Sequence, residues 1–343
     1  MDIILEKKTV YKAINSYLVK IMNGMALGLF SSLIIGVILK QVGTVFNLKI
    51  FIQFGQIAQY SMGGAIGAGV SYVVGASPLG IFSAMICGTI GSGTISFNEG
   101  IAVLKVGEPV GAFIAAIIGA EASKLIENKT PVNIVAIPIV TIVSGGLVGI
   151  TLAPFIADTM KTLGTLINMG THLHPFFMGI VVSLLMGIFL TLPISSAAIA
   201  ISLGLSGIAA GAATVGCCAH MVGFAVAGYK DNGIGGIFSQ GIGTSMIQMP
   251  NIIKKPIIVL PAIVTSIILG PFSTTIFKIE NNSIGAGMGT SGLIGQLMAI
   301  ETMGKDKIIT IIFATIILPG ILSYIISHYM RKKGILTAGD MKI

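Results

Sequence analysis

Carboxylates within or beside apolar stretches are the groups of this chain best suited to chemistry. Glu99 follows Asn98 and a run rich in glycine, serine and threonine, and Glu108 stands between Gly107 and Pro109. Burying a carboxylate in lipid is costly, so its presence there indicates a functional site. Such a group can accept hydrogen bonds from sugar hydroxyls, or it can bind a proton or a sodium ion.

Two other carboxylates have a structural interpretation. Glu121 lies three residues before Lys124, a spacing that predicts an ion pair on one face of a helix. Glu301 lies in a charged stretch after the last glycine-rich segment, and we interpret it as ordinary loop charge. Glu99 and Glu108 are therefore retained as the acidic candidates for binding a substrate.

Amides and one histidine supply the neutral candidates. Four glutamines lie in apolar stretches, at Gln56, Gln59, Gln240 and Gln248, where such side chains often serve only to join helices. Gln240 falls within a glycine-rich run, and for it a ligand role is favoured. His220 follows two cysteines and an alanine; a histidine packed in the core is the favoured interpretation, with a substrate hydrogen bond as the alternative.

The predicted substrate-binding set is thus Asn98, Glu99, Glu108, His220 and Gln240. No second cluster of cysteine and histidine accompanies His220, so no metal site is predicted. The sequence has no phosphate-binding loop, no hydrolase nucleophile motif and no zinc-protease motif. We expect no autonomous catalytic residue and no cofactor, and whether the chain takes part in an enzymatic reaction stays open.

The composition indicates that these groups are held in a membrane protein. The chain is 54% hydrophobic and 9% charged, with a mean hydropathy of +0.98. A soluble domain carries about 25% charged residues. This chain has too few charged residues to form a surface that faces water, so we expect its surface to face lipid. The net charge of +8 does not indicate a nucleic-acid surface, because the basic residues flank apolar spans instead of forming one face.

Ten apolar spans of membrane-crossing type can be placed along the chain. They cover residues 22–39, 50–74, 79–97, 109–126, 132–153, 175–193, 195–217, 234–250, 256–277 and 308–330. Basic residues precede the first span and follow the last, which predicts that both termini are cytoplasmic. We therefore expect an all-α polytopic protein of the cell membrane.

Two gap-free alignments indicate an internal duplication. Residues 23–47 match 144–168 at seven positions, and residues 107–131 match 232–256 at five. Such duplications are typical of transporters, whose sites form between related halves. Whether the repeats are parallel or inverted stays open. The predicted domains are a cytoplasmic amphipathic helix (1–20), two transmembrane repeats (21–141 and 142–262), closing transmembrane segments (263–330) and a cytoplasmic tail (331–343).

Four glycine-rich segments are poor candidates for plain lipid-facing helices. They cover residues 63–75, 88–100, 228–245 and 285–295. Because glycine is a poor helix former, these segments are predicted to be broken or re-entrant and to line a cavity. The alternative is that the glycines only allow helices to pack closely.

The run from Gly107 to Glu121, GEPVGAFIAAIIGAE, resembles the membrane-embedded IIC subunits of the phosphoenolpyruvate-dependent sugar phosphotransferase system (PTS). More narrowly, it is similar to the branch that includes perfringolysin-regulator membrane proteins. The resemblance covers about residues 10–330. Glu108-Pro109 matches the Glu-Pro pair that IIC subunits of the glucose-like branch carry in their substrate region, although the longer Gly-Ile-Thr-Glu-Pro form is absent.

This resemblance implies a multi-pass permease that binds a sugar or a related polyol and releases it inside the cell. A separate cytoplasmic IIB protein would phosphorylate the substrate during passage, since no IIA or IIB segment is recognised within these residues. We also expect a homodimer in the bilayer. Two alternatives stay open: an ion-coupled secondary transporter using Glu99 or Glu108, and a membrane sensor without net transport.

Overall fold

The computed structural model describes residues 2–98 and 101–343, which are almost entirely helical. The α-helices are α1 (Asp2–Leu29), α2 (Ile35–Val45), α3 (Lys49–Tyr60), α4 (Met62–Val74), α5 (Pro78–Ser92), α6 (Pro109–Ile126), α7 (Asn133–Thr171), α8 (Pro175–Thr191), α9 (Ser196–Ser202), α10 (Gly207–Ala227), α11 (Tyr229–Phe238), α12 (Met249–Lys254), α13 (Leu260–Pro271), α14 (Ser283–Ala286), α15 (Ile294–Met303), α16 (Ile308–Ile312) and α17 (Leu318–Lys332). Strands β1 (Ile95–Asn98) and β2 (Ile101–Leu104) form one antiparallel hairpin.

The helices confirm the prediction of an all-α polytopic membrane protein. Within the described residues, six helical stretches are long and apolar enough to cross a membrane. These are Ser16–Thr44, Pro109–Ile126, Asn133–Ile156, Gly207–Ala227, Pro256–Ile276 and Lys305–Lys332. Three shorter helices, α4, α5 and α8, are also apolar. That gives nine apolar helical stretches where the sequence predicted ten.

The difference arises where a predicted span is broken in the structure. The predicted span 195–217 is divided between α9 and α10, and the chain between these helices is not helical. The predicted span 234–250 is interrupted by a π-helical turn and a 3-10 turn before α12 begins. The predicted span 79–97 ends early, because α5 stops at Ser92 and the chain turns into the hairpin.

The chain forms two compact units. Unit 1 comprises Met1–Gly36, Gln56–Ile156 and Met249–Pro256. Within it, α4 packs on α1, α5 and α6. A cluster of buried residues, Ile21, Val74 and Ala120, joins three of these helices. Helix α1 is continuous from Asp2 to Leu29, so the residues predicted as a surface helix run without a break into the first span.

Unit 2 comprises Val37–Gly55, Ala157–Gln248 and Ile257–Ile343. Helix α10 is its centre and packs against α8, α13 and α17. Most of α10 is buried all round, whereas lipid-facing helices keep one face exposed. Polar side chains on α10 must therefore find their partners inside this unit. These two units are defined by contacts between residues and are not the two sequence repeats. The repeats stay a prediction.

The four glycine-rich segments behave in two different ways. Residues 63–74 lie in the regular helix α4, so the prediction of a break was wrong there. The segment 88–100 begins as the last turn of α5 and is broken after Ser92, at Gly93 and the strand that follows. A Cβ on Gly67 would overlap the carbonyl of Ala84, and a Cβ on Gly88 would overlap that of Gly63. These glycines serve close helix packing, the alternative considered from the sequence. Residues 228–245 and 285–295 are broken, as predicted.

Exchanging two glycines of α4 tests this packing. Gly67→Ala should destabilise the protein by about 1–3 kcal/mol, because the added methyl collides with backbone that cannot move away. Gly64→Ala is the matched control: its nearest neighbour is the hydroxyl of Thr89, 3.3 Å from the added Cβ, on a side chain that can rotate. Thermal unfolding in detergent measures both, and equal melting temperatures for the two variants would contradict the packing argument.

Candidate functional site

A buried polar cluster in unit 2 contains one of the predicted ligands. His220 lies on α10 and is fully buried. Its Nδ1 is 2.8 Å from the hydroxyl of Thr191, which in turn is 2.9 Å from the hydroxyl of Ser245. A threonine hydroxyl carries one proton and two lone pairs, so it can join both neighbours at once. The cluster links the middle of α10 to the end of α8 and to a 3-10 turn.

Local sequence explains why Thr191 is available at this position. Helix α8 ends at Thr191 because Leu192 precedes Pro193 and adopts an extended backbone, with φ −70° and ψ 157°. One turn earlier, Gly187 lies directly against the imidazole. A Cβ on Gly187 would be 2.5 Å from Cδ2 and 2.9 Å from Nε2 of His220. Nε2 has no hydrogen-bond partner among the residues that the structure describes.

A pair of buried amides continues this polar layer. Gln248 donates from Nε2 to Oε1 of Gln240 over 2.8 Å, and Gln240 donates to the carbonyl of Gly236 over 3.2 Å. Both glutamines are fully buried. The 3-10 turn Ser245–Gln248 contains both Ser245, of the cluster around His220, and Gln248, of the amide pair. This turn therefore connects the two polar groups.

The backbone between α10 and α12 is irregular for identifiable reasons. Gly233 has φ 60° and ψ −152°, a conformation that only glycine adopts readily. After the π-helical turn Ser239–Gly243, Thr244 is extended, and its hydroxyl accepts a hydrogen bond from the N–H of Met246. Irregular backbone at membrane depth persists where protein groups satisfy it, and these bonds do so.

The second broken segment packs on the same central helix. Asn281 donates from Nδ2 to the hydroxyl of Thr214 over 2.8 Å and to the carbonyl of Gly295 over 2.9 Å. Gln296 donates to the sulfur of Cys218 over 3.3 Å. The Oε1 of Gln296 and the hydroxyl of Ser291 are buried without a partner in the described part of the chain. Unit 2 therefore holds several buried polar atoms that could accept or donate further hydrogen bonds.

Glu108 belongs to unit 1, where it is the residue before α6. It is half-buried, and its N–H donates to the carbonyl of Ser92 over 2.9 Å. The hydroxyls of Ser92 and Thr94 are 2.7 Å apart beside it. Pro109 begins the helix, where a missing N–H costs nothing, and the carboxylate of Glu108 lies at the positive end of the helix dipole.

Asn98 and Glu99 were predicted at the end of a broken segment. Asn98 closes strand β1 at the tip of the hairpin, opposite Ile101, and Glu99 lies outside the described residues. Asn98 lies four residue steps beyond Thr94, which in extended chain is a distance of about 13 Å. The hairpin thus places Asn98 at its tip and Glu108 at its base.

Glu121 has the structural role that its spacing predicted. It forms an ion pair with Lys124 at 3.1 Å and accepts a hydrogen bond of 2.7 Å from the hydroxyl of Tyr17. The ion pair confirms the i,i+3 interpretation. The bond to Tyr17 adds a contact between α6 and α1 that the sequence did not indicate.

Of the five predicted ligands, the structure brings two into one polar layer, His220 and Gln240. The sequence pattern did not indicate Thr191, Ser245 or Gln296. Gln248 is one of the four glutamines in apolar stretches, of which Gln240 alone was favoured as a ligand. The available signal was weak, because threonine and serine are common in membrane helices and bond to their own backbone. Only the fold shows which hydroxyls face a histidine.

The C-terminal tail is attached to the same irregular segment. Arg331 forms an ion pair of 2.9 Å with Asp231, whose carboxylate also accepts from the N–H groups of Gly339 and Met341. The carbonyl of Met341 accepts hydrogen bonds from the side chains of both Asn232 (2.7 Å) and Gln248 (2.8 Å). The tail therefore touches the buried amide pair directly.

The fold and these buried polar groups define a class of protein: a polytopic α-helical membrane protein with hydrogen-bonding groups in its interior, as solute permeases have. The family follows from a direct comparison. The chain belongs to the family described as Phosphotransferase system, EIIC, whose model matches residues 19–343. The protein is therefore a multi-pass membrane subunit of the sugar-permease type of the PTS. No curated protein and no solved structure matches it.

Removing the acid that holds the tail should loosen it. Asp231 is 2% exposed and Arg331 13%, so Asp231→Ala leaves a largely buried guanidinium unpaired and should cost about 3–5 kcal/mol. The control, Asp306→Ala, removes an exposed pair with Lys307, worth about 0–1 kcal/mol. Carboxypeptidase digestion should release the tail of the first variant faster; equal rates would contradict the role of this ion pair.

Proposed function

We propose that this permease binds its sugar at the polar layer around His220, with Gln240 and Gln248 as further contacts. The observation that carries the proposal is the state of the imidazole. It is buried, one ring nitrogen is hydrogen-bonded, and Nε2 is without a partner among the described residues. A buried polar atom without a partner costs about 1–3 kcal/mol, so a sugar hydroxyl bonded to Nε2 would recover that energy.

The chemistry of the layer suits a neutral polyhydroxyl compound. Amides offer donors and acceptors side by side, and a hydroxyl needs both. Among the residues that the structure describes, no acidic or basic side chain is hydrogen-bonded to His220 or Gln240. A site of this kind rejects a compound that lacks a hydroxyl at the right place, because its own polar groups would then be left unpaired.

The sugar reaches His220 only after part of the protein moves. Gly187 lies against Nε2, and the ring is fully buried. The adjacent π-helical and 3-10 turns are the elements most suited to movement, because they lack the regular hydrogen-bond ladder of a helix. Exposure of the layer first to one side and then to the other would follow the alternating access of such permeases.

A second proposal concerns unit 1 by itself. Glu108 is the carboxylate of the Glu-Pro pair, at the start of a helix beside Ser92 and Thr94. We assign Glu108 as a sugar contact, with Asn98 and Glu99 as further contacts proposed from the sequence. These three assignments rest on the sequence pattern and on the placement of Glu108.

The partner in this proposal is a separate cytoplasmic IIB protein. It transfers its phosphoryl group to a sugar hydroxyl, so that the bond from phosphorus to the sugar oxygen forms as its bond to IIB breaks. Basic residues at both ends of the chain support a cytoplasmic position for both termini. The homodimer, and membership of the perfringolysin-regulator branch, stay predictions.

Replacing the imidazole tests the sugar site. His220→Phe keeps an aromatic ring and removes both nitrogens, and it should weaken sugar binding about tenfold or more. Ser245→Ala, which leaves the bond between Thr191 and His220 in place, should have a smaller effect. His172→Phe, at an exposed histidine, is the control. Isothermal titration in detergent with a panel of hexoses and polyols measures the affinities. Binding by a folded His220→Phe protein at the parental affinity would contradict the site.

Coupling to phosphorylation has a separate test. Uptake of labelled sugar should fall to background in cells that lack the general phosphocarrier of the system. In liposomes, sugar phosphate should form only when phosphorylated IIB is supplied. Uptake that ignores the phosphocarrier but collapses with a proton or sodium gradient would replace the phosphotransfer proposal by ion-coupled transport.

A further inference from the structure

A groove in unit 2, distinct from the polar layer, is lined almost wholly by hydrocarbon. It has a volume of about 570 Å³ and runs between α10 and α17. Val222 and Val226 form one wall and Ile317 and Gly320 the other, with Leu293 and Ile242 between them. We call it the α10–α17 groove. Apart from Thr290 and Tyr324 its lining offers almost no hydrogen-bonding side chain, so a sugar is a poor occupant.

The groove continues into a smaller cavity of different character. This second cavity, of about 210 Å³, shares Val226, Ile237 and Tyr324 with the first. Its remaining lining includes Tyr229, Lys230, His328 and Arg331. An apolar channel thus opens at one end into a mouth with basic and aromatic side chains.

The mouth has an excess of positive charge. Its acidic neighbour, Asp231, is already engaged by Arg331. Lys230 and His328 are exposed, and within residues 2–98 and 101–343 neither forms an ion pair with a carboxylate. Lys332 and Lys333 follow directly on the chain. Tyrosine, lysine and arginine at a helix end mark the level of the lipid headgroups.

From this arrangement we propose that the α10–α17 groove binds one anionic phospholipid. One acyl chain lies along the apolar channel, and the phosphate is held at the mouth by Lys230 and His328, with the tyrosine hydroxyls as further donors. Basic pockets beside membrane helices recognise anionic headgroups in this way. Charge complementarity selects this occupant. A second copy of the chain, docked face to face on the groove, would bring Lys230 and Arg331 towards the same two residues of the other copy.

The experiment uses the full chain purified in a neutral detergent, with lipids of identical acyl chains. Phosphatidylglycerol should raise the melting temperature by at least about 2 °C more than phosphatidylcholine does. It should also stay bound in native mass spectrometry. In the double variant Lys230→Gln/His328→Gln the advantage of phosphatidylglycerol should vanish. The control, Lys305→Gln/His172→Gln, makes the same two substitutions at exposed sites outside the groove. Phosphatidylglycerol should still stabilise this control more than phosphatidylcholine does.

A second variant tests the channel itself. A Cβ on Gly320 would be 3.6 Å from Val222 and 3.8 Å from Val226, an ordinary contact, so Gly320→Leu fills the channel without a backbone clash. It should abolish the response to both lipids while the protein stays folded. Equal responses to both lipids in the parental protein would overturn the proposal, as would a full response to soluble glycerol phosphate. Conversion of a dimer to a monomer by Gly320→Leu would assign the groove to a second copy instead.

Discussion

At membrane depth, each polar group of the protein must find its partner within the protein, and the organisation of unit 2 depends on this constraint. Helix α10 is the element that meets it. In the apolar window of Gly207–Ala227, 89% of the residues are buried, so the helix has almost no lipid-facing side. Thr214, Cys218 and His220 each bond a different neighbouring segment. Irregular chain can exist around α10 because α10 supplies the partners.

Small residues make this arrangement sterically possible. A Cβ on Gly216 would overlap the carbonyl of Ser183, and a Cβ on Gly211 would overlap that of Ile279. Helix α8 and the irregular chain at Ile279 can therefore approach the α10 backbone closely enough for side chains to reach it. In unit 1, glycines also allow close packing, but between regular helices. There, glycines of α4 and α5 let regular helices meet, and the helices keep their own hydrogen bonds. Glycine content by itself does not distinguish these two uses.

The C-terminal tail also supplies a hydrogen-bond partner to a buried polar group of unit 2. Its carbonyl at Met341 is a partner of Gln248, which is in turn the partner of Gln240. A change in the buried amide pair thus alters the bonds that hold the tail, and the reverse holds by linkage.

The sequence alone determined the class of protein and one of its ion pairs. Low charge and long apolar runs predicted a polytopic helical protein, because lipid permits few other structures. The spacing of Glu121 and Lys124 predicted their ion pair, since helix geometry brings such residues together. Tertiary structure decided the rest. Residues 107–131 and 232–256 match at five positions, yet the first contains the continuous helix α6 and the second is broken at Gly233 and at the π-helical turn Ser239–Gly243. Likewise, only packing against α8 and the 3-10 turn placed Thr191 and Ser245 beside His220, since hydrogen bonds between distant segments leave no local pattern in the chain.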